Sequence, residues 1–149
     1  MLHKILVPTD FSEASKAALL YAEELALLTK AELVLLHICA AVPFPVPYAP
    51  DLAPTELYEE LDAETSRMLE NLASPLTRHG VQVRCHQVTG EPEAQILEVA
   101  ERTHADMIVI GTHGRNGYRR MLLGSVAEHV VRAAKIPVLT VHAQLSASP

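Results

Sequence analysis

Gly111, Gly114, Gly124 and Ser125 form a frame: two glycines with two residues between them, a gap of nine residues, then a glycine–serine pair. The frame lies between an apolar run, Met107 to Ile110, and a helical stretch from Val126 to Ala134. These residue types suit phosphate. A glycine directly after a strand lets the main chain approach an anion with no Cβ in the way, and a helix N-terminus offers unpaired N–H groups and a favourable dipole. Arg115, Arg119 and Arg120 fall inside the gap and supply positive charge where polyphosphate would need it. The frame is not a Walker loop, because no Gly-Lys-Ser/Thr follows the glycines. A plainer reading stands beside this one: Ser125 to Glu128 has the spacing of a capping box, which would make Gly124 and Ser125 helix punctuation.

The elements that must hold this frame alternate along the whole chain. Ile5 to Val7 is a short apolar run ended by Pro8, Thr9 and Asp10, and the Ala/Leu/Glu-rich pattern from Ser12 to about Lys30 predicts a helix, with Asp10 to Glu13 as its capping box. Leu33 to Ile38 is a second strand, apolar enough for burial on both faces. His37 interrupts it and is read as a core histidine hydrogen-bonded by its neighbours rather than a catalytic one, since no nucleophile or carboxylate is tied to it in sequence. From Ala41 to Pro54, five prolines exclude helix and central strand alike and predict a loop or lid. A leucine-striped helix follows from near Thr55 to His79 and Gly80, and Val81 to Val88 alternates in the manner of an edge strand. Pro92 opens the next helix, where a missing N–H costs nothing. Met107 to Ile110, the glycine frame, the last helix and a fifth strand from Pro137 to Val141 complete the order, and Gln144 to Pro149 reads as a frayed tail.

This alternation predicts an α/β fold, a single domain over residues 1–143 built on a parallel sheet with right-handed crossovers and helices on both faces. Ligands in such sheets bind outside the carboxyl ends of the strands, where the strand order reverses. With the first strand central and flanked by the second and fourth, that crevice is walled by Pro8, Thr9 and Asp10 on one side and by Gly111 to Gly114 on the other.

Composition narrows the function classes. The chain has 149 residues, enough to bury roughly two thirds of the surface of its unfolded form. Its formal net charge is −6 without an acidic tail, which argues against nonspecific nucleic-acid binding. No apolar run approaches the ~20 residues of a membrane helix, and the N-terminus has neither the length nor the flanks of a signal peptide, so a cytoplasmic protein is expected. Cys39 and Cys85 are far apart and outside any C-x-x-C, which supports neither a disulfide framework nor a zinc site. His3, His79, His86, His104 and His142 are read as surface or strand positions, so no metal site is expected.

The chain resembles the universal stress protein family, in its ATP-binding branch. Lys4 to Ser12 at the start, Leu35 to Ile38 in the second strand and Gly90 to Pro92 before the third helix carry the resemblance. The closing segment Gly111 to Val141 is its most specific part: the family motif Gly-x2-Gly-x9-Gly-Ser/Thr falls on Gly111, Gly114, Gly124 and Ser125. The resemblance implies a Rossmann-like, adenine nucleotide alpha hydrolase-like sheet of five parallel strands in the order 3-2-1-4-5, with an adenine nucleotide at its C-terminal edge. Pro8, Thr9 and Asp10 would meet the adenosine and Ile38 the adenine. Gly111, Gly114, Gly124, Ser125 and Val126 would hold ribose and phosphates, with Ile110 and His113 in the same binding set. It also implies a homodimer joined through the last strand, at Val138, Leu139, Thr140 and Val141. An independent reason points the same way, because that strand is an edge carrying no charge to protect it.

The function expected is therefore an ATP-dependent regulatory or stress-response homodimer with at most slow hydrolysis, which needs only differential affinity of the nucleotide for two states. The alternatives are a slow ATPase or phosphotransferase, against which stands the lack of a P-loop lysine and of a sequence-evident base, Asp10 and His113 being the residues to examine, and a nucleotide-free dimeric scaffold. No catalytic residue is assigned. Magnesium would accompany the phosphates, although no carboxylate cluster demands it. A receiver domain would want an acidic pair after the first strand and an aspartate after the third, and the chain has only Asp10.

Overall fold

The computed structural model describes residues 1–41, 54–112 and 123–143. The strands β1 (Lys4–Pro8), β2 (Glu32–Cys39), β3 (Val83–Thr89), β4 (Met107–Thr112) and β5 (Val138–His142) alternate with the helices α1 (Glu13–Thr29), α2 (Pro54–Arg78), α3 (Pro92–Thr103) and α4 (Ser125–Ala133). All strand pairs are parallel, and the sheet order is β3-β2-β1-β4-β5.

The alternation of side chains along the central strands builds two cores. Ile5, Val7, Leu33, Leu35 and Val109 point to one face and pack with Ala18, Ala22 and Ala26 of α1 and Leu69 and Leu76 of α2. Leu6, Val34, Leu36, Ile108 and Ile110 point to the other and meet Ile96 and Val99 of α3 and Ala127 and Val130 of α4. The apolar runs of β1, β2 and β4 thus reflect burial on both faces of a parallel sheet. β3 is half exposed, as befits the edge strand expected from its alternation.

Several boundaries differ from the sequence expectation, each for a local reason. β3 starts at Val83, because the Val81 N–H turns back to the Leu76 carbonyl and Val81 fills the core below α2. α2 starts at Pro54, a residue the first turn of a helix tolerates. β4 runs on through Gly111 to Thr112, so Gly111 is a strand residue paired with Val141 and not the first residue of a loop. Neither capping box forms. α1 is capped by Ser12, whose hydroxyl accepts from the Ser15 N–H, and α4 is capped by Gly124 with no side chain bonded there, which makes Ser125 the first helical residue. Glu128, expected to reach back, pairs instead with Arg132 one turn on, at 2.7 Å.

Candidate functional site

β1 and β4 are neighbours in the sheet, but the connection after β1 leads through α1 to β2 on one side, and that after β4 leads through α4 to β5 on the other. The strand order therefore reverses between them, and the crevice beyond their carboxyl ends is where an open α/β sheet binds its ligand. Pro8, Thr9 and Asp10 at the end of β1, Ile38 near the end of β2, Ile110 and Gly111 late in β4, and Gly124, Ser125 and Val126 at the start of α4 all lie at this end of the sheet. His113 and Gly114 lie outside the described residues, as do Arg115, Arg119, Arg120, residues 42–53 of the proline-rich segment and the tail 144–149.

The turn after β1 is held by a small hydroxyl network. Thr9 is buried, its N–H donates to the Leu36 carbonyl at 2.8 Å, and its Oγ1 accepts from the Phe11 N–H at 3.0 Å while lying 3.1 Å from Ser15 Oγ. Asp10 is exposed, and its Oδ1 accepts from the Ser12 N–H at 3.0 Å, a side-chain-closed turn of the kind aspartate favours. Withdrawal from water would raise its carboxyl. Hydrogen bonds from the side chain and backbone of Ser12 and from the side chain of Ser15 outweigh that and hold it below the usual carboxylate value. Asp10 is thus an anion with lone pairs to spare, an acceptor suited to sugar hydroxyls.

Gly111 turns out to be demanded by packing. A Cβ there would lie 2.4 Å from the Ala14 carbonyl oxygen and 2.8 Å from the Ser15 nitrogen, so the missing side chain is what lets the N-terminus of α1 rest against β4. The same contact ties Gly111 to the helix start that follows the Thr9–Asp10 turn. Ile110 is buried in the core between the sheet, α3 and α4, which leaves only its main chain to a ligand, and Val126 packs against the same core. At α4, the glycine cap puts no side-chain oxygen on the first-turn N–H groups, and Ser125 is exposed beside them. A helix start without a side-chain cap, among the described residues, is the kind of place where an anion can meet backbone N–H groups.

Sequence reasoning assigned no role to Ser12 and Ser15, whose hydroxyls shape the turn, or to Thr112, which is fully buried with its Oγ1 2.6 Å from His142 Nδ1 and ties the end of β4 to that of β5. A Ser or Thr spaced from a cap is a signal that could have pointed to the first two. A second concavity of about 610 Å³ lies between α3 and α4, lined by Leu97, Ala105, Ile108 and Ile136. It opens at the amino ends of β4 and β5, away from the reversal point, and its acidic Glu101 is already paired with Lys135 at 2.8 Å.

The family model described as "Universal stress protein family" matches residues 1–142. The chain belongs to the universal stress protein family. Among its relatives, Universal stress protein MJ0531 of Methanocaldococcus jannaschii is 36% identical over 141 residues, covering 93% of this chain and 81% of the relative. Universal stress protein MJ0577 of the same organism is 31% identical over 154 residues, with 95% of each chain covered. The solved structure of MJ0577 superposes on this universal stress protein with a TM-score of 0.80 over 95% of this chain and 96% of that one. A family member from Arabidopsis thaliana with AMP bound shares the fold at 21% identity, with a TM-score of 0.71 over 99% of this chain and 95% of its own. The order β3-β2-β1-β4-β5 and the Rossmann-like architecture are those expected from the sequence. Among the described residues, no helix is long and apolar enough to cross a membrane.

Proposed function

We propose that this universal stress protein binds ATP in the crevice between the β1–α1 turn and the N-terminus of α4, and that it works as a nucleotide-dependent regulatory homodimer rather than an efficient enzyme. The observation that carries the reading is the start of α4. Its first-turn N–H groups have no side-chain cap, follow directly on the second half of the glycine frame, and open at the point where the strand order reverses. The residues there fit a nucleotide. Asp10, held ionised, accepts from the ribose hydroxyls, the main chain around Ile38 meets the adenine, and Gly114, Gly124, Ser125 and Val126 cradle the phosphates, with Ile110 and His113 beside them. The bound nucleotide supplies a polyanion whose presence or loss changes which conformation is favoured. Magnesium accompanies the phosphates without a dedicated carboxylate cage. The homodimer forms through the edge of β5 that faces away from β4.

Asp10 is engaged by Ser12 and held below the usual carboxylate value, which makes it a weak base and favours slow hydrolysis at most. The protein, once purified, is denatured and the released nucleotide identified by chromatography and mass spectrometry; the emptied protein is then titrated calorimetrically with ATP and assayed for hydrolysis. ATP near one per subunit, with hydrolysis far below the ~1–100 s⁻¹ of kinases, is the expected result. No released nucleotide and no heat on titration would overturn it, and turnover in the kinase range would make the protein an enzyme.

A further inference from the structure

The β1–α1 turn contains one residue in a conformation that side chains rarely adopt: Phe11 has φ 63° and no glycine's freedom. A non-glycine residue in this region costs about 1–3 kcal/mol and persists only where its surroundings over-determine it. Among the described residues, one side chain of β2 reaches this turn with two contacts: that of His37, near the end of the strand. The Nδ1 of His37 lies 2.9 Å from the Thr9 carbonyl oxygen, and its ring packs on that of Phe11 with centroids 4.7 Å apart and a tilt of 38°. A carbonyl oxygen only accepts, so Nδ1 carries the hydrogen and donates it. The main-chain N–H of Thr9 is bound on the same strand, by Leu36, so β2 grips Thr9 through both of its peptide groups.

We propose that His37 is the positioning residue of the crevice: its Nδ1–H and ring face lock the Thr9–Phe11 turn, and so set the affinity for the nucleotide that Asp10 meets. The inference rests on the nucleotide-binding reading for its functional half and on the Thr9 and Phe11 contacts for its structural half. A histidine here answers a specific demand. It donates at one atom and stacks with its face, a combination that an aliphatic core residue lacks on both counts and phenylalanine lacks on one.

The test exploits the shapes of the amides. Asparagine places an N–H donor where Nδ1 stands and glutamine places one where Nε2 stands. His37→Asn, which keeps the donor and loses the ring face, should bind ATP within about threefold of the wild type, whereas His37→Phe and His37→Gln should lose about fivefold to tenfold, the size of one neutral hydrogen bond. In the nucleotide-free protein, amide hydrogen exchange at Phe11 and Ser12 should quicken in His37→Phe and His37→Gln and stay slow in His37→Asn. Combined with Asp10→Ala, the loss in His37→Gln should be less than additive, because both act on one contact. Equal loss in all three variants would mean that the residue only fills space, and would overturn the proposal; so would unchanged exchange in His37→Gln. Should His37→Phe fail to fold, the Asn and Gln pair still decides. A wild type that takes up no ATP would reject the nucleotide reading and the functional half with it, while the exchange comparison would still judge the lock.

Discussion

The space that a side chain at Gly111 would occupy is filled by the main chain of Ala14: a Cβ there would stand 2.4 Å from its carbonyl oxygen and 2.5 Å from its carbonyl carbon. These are backbone atoms at the start of a helix, so no rotamer change relieves the clash. Gly111→Ala should therefore cost about 3 kcal/mol, the upper part of the range for overpacking, and should lower the urea midpoint at unchanged m-value. Because the displaced segment carries the Thr9–Asp10 turn, ATP affinity should fall together with stability. A variant as stable as the wild type would show that α1 can yield and that the contact is not what demands the glycine.

Gly124 is a different kind of glycine, although sequence alone puts the two in one motif. Its φ of −68° and ψ of 160° are open to any residue, so neither strand nor helix requires it. Gly124→Ser should keep the fold and add a few tenths of a kcal/mol through helix capping. Gly124→Val should leave the far-UV circular dichroism near native and weaken ATP binding by at least about tenfold, or 1.4 kcal/mol, since its bulk enters the space beside the first-turn N–H groups of α4, where the proposed phosphates would lie. Gly114→Val, from the same motif, should do likewise. Calorimetric titration of both valine variants is the check, and wild-type affinity in both would mean that no phosphate comes near these positions.

How much of this was legible beforehand depended on whether the signal was local. The alternation of strands and helices, the proline at the start of α3 and the half-exposed character of β3 are written in short windows of hydrophobicity and could be read directly. The grouping of Thr9 and Asp10 with Gly111 at the end of β4 followed once the general rule for open sheets was applied. What could not be read were contacts between distant segments. Ala14 against Gly111, His37 against Thr9 and Asp106 against the start of β1 each join residues far apart in the chain, and nothing local marks them. The two capping boxes show the converse failure. Both matched the spacing rule, yet the helices start one residue or more away, because Asp10 closes its own turn on Ser12 and Glu128 finds Arg132.

Asp106 carries the clearest pH dependence. Its Oδ2 accepts from the N–H groups of His3 at 2.8 Å and Lys4 at 2.9 Å, which fastens the first strand to the turn before β4. Those two backbone bonds hold its carboxyl below the usual 3.8, and Asp10 is also held low, the hydrogen bonds from Ser12 and Ser15 outweighing its loss of solvent. With folded values below the unfolded one, the unfolded chain takes up protons first. The stabilisation is complete above the unfolded pKa and drains away as the pH falls below about 4, through the folded values. Asp106→Ala should cost about 1 kcal/mol at pH 7, since water can reach the freed amides, and should flatten the acid side of the stability curve. Urea unfolding of wild type and variant at neutral pH and near pH 3.5 makes the comparison; parallel pH curves would show that Asp106 contributes nothing specific to acid sensitivity.

The fifth strand offers the last test. β5 pairs with β4 on one side only among the described residues, and Leu139 is 37% exposed at this edge, on a strand with no charged side chain from Val138 to Val141. α1 extends the apolar surface beside it. Glu23 faces α2 through its 2.6 Å contact with His79, and Tyr21 and Leu28 lie about 150° round the helix from it, counted at 3.6 residues per turn. They are therefore on the flank toward β5, 51% and 83% exposed. An open strand edge with apolar neighbours invites pairing with a second copy, and lysine on such an edge is the usual obstacle to it. Leu139→Lys should convert a dimer to a monomer in light scattering after gel filtration while leaving its circular dichroism unchanged. Leu28→Lys should weaken the association to a smaller degree, because it borders the strand edge and does not form it. Both variants remaining dimeric would move the interface to another face of the molecule, and a monomeric wild type would remove the dimer from the proposed function while leaving the nucleotide crevice untouched.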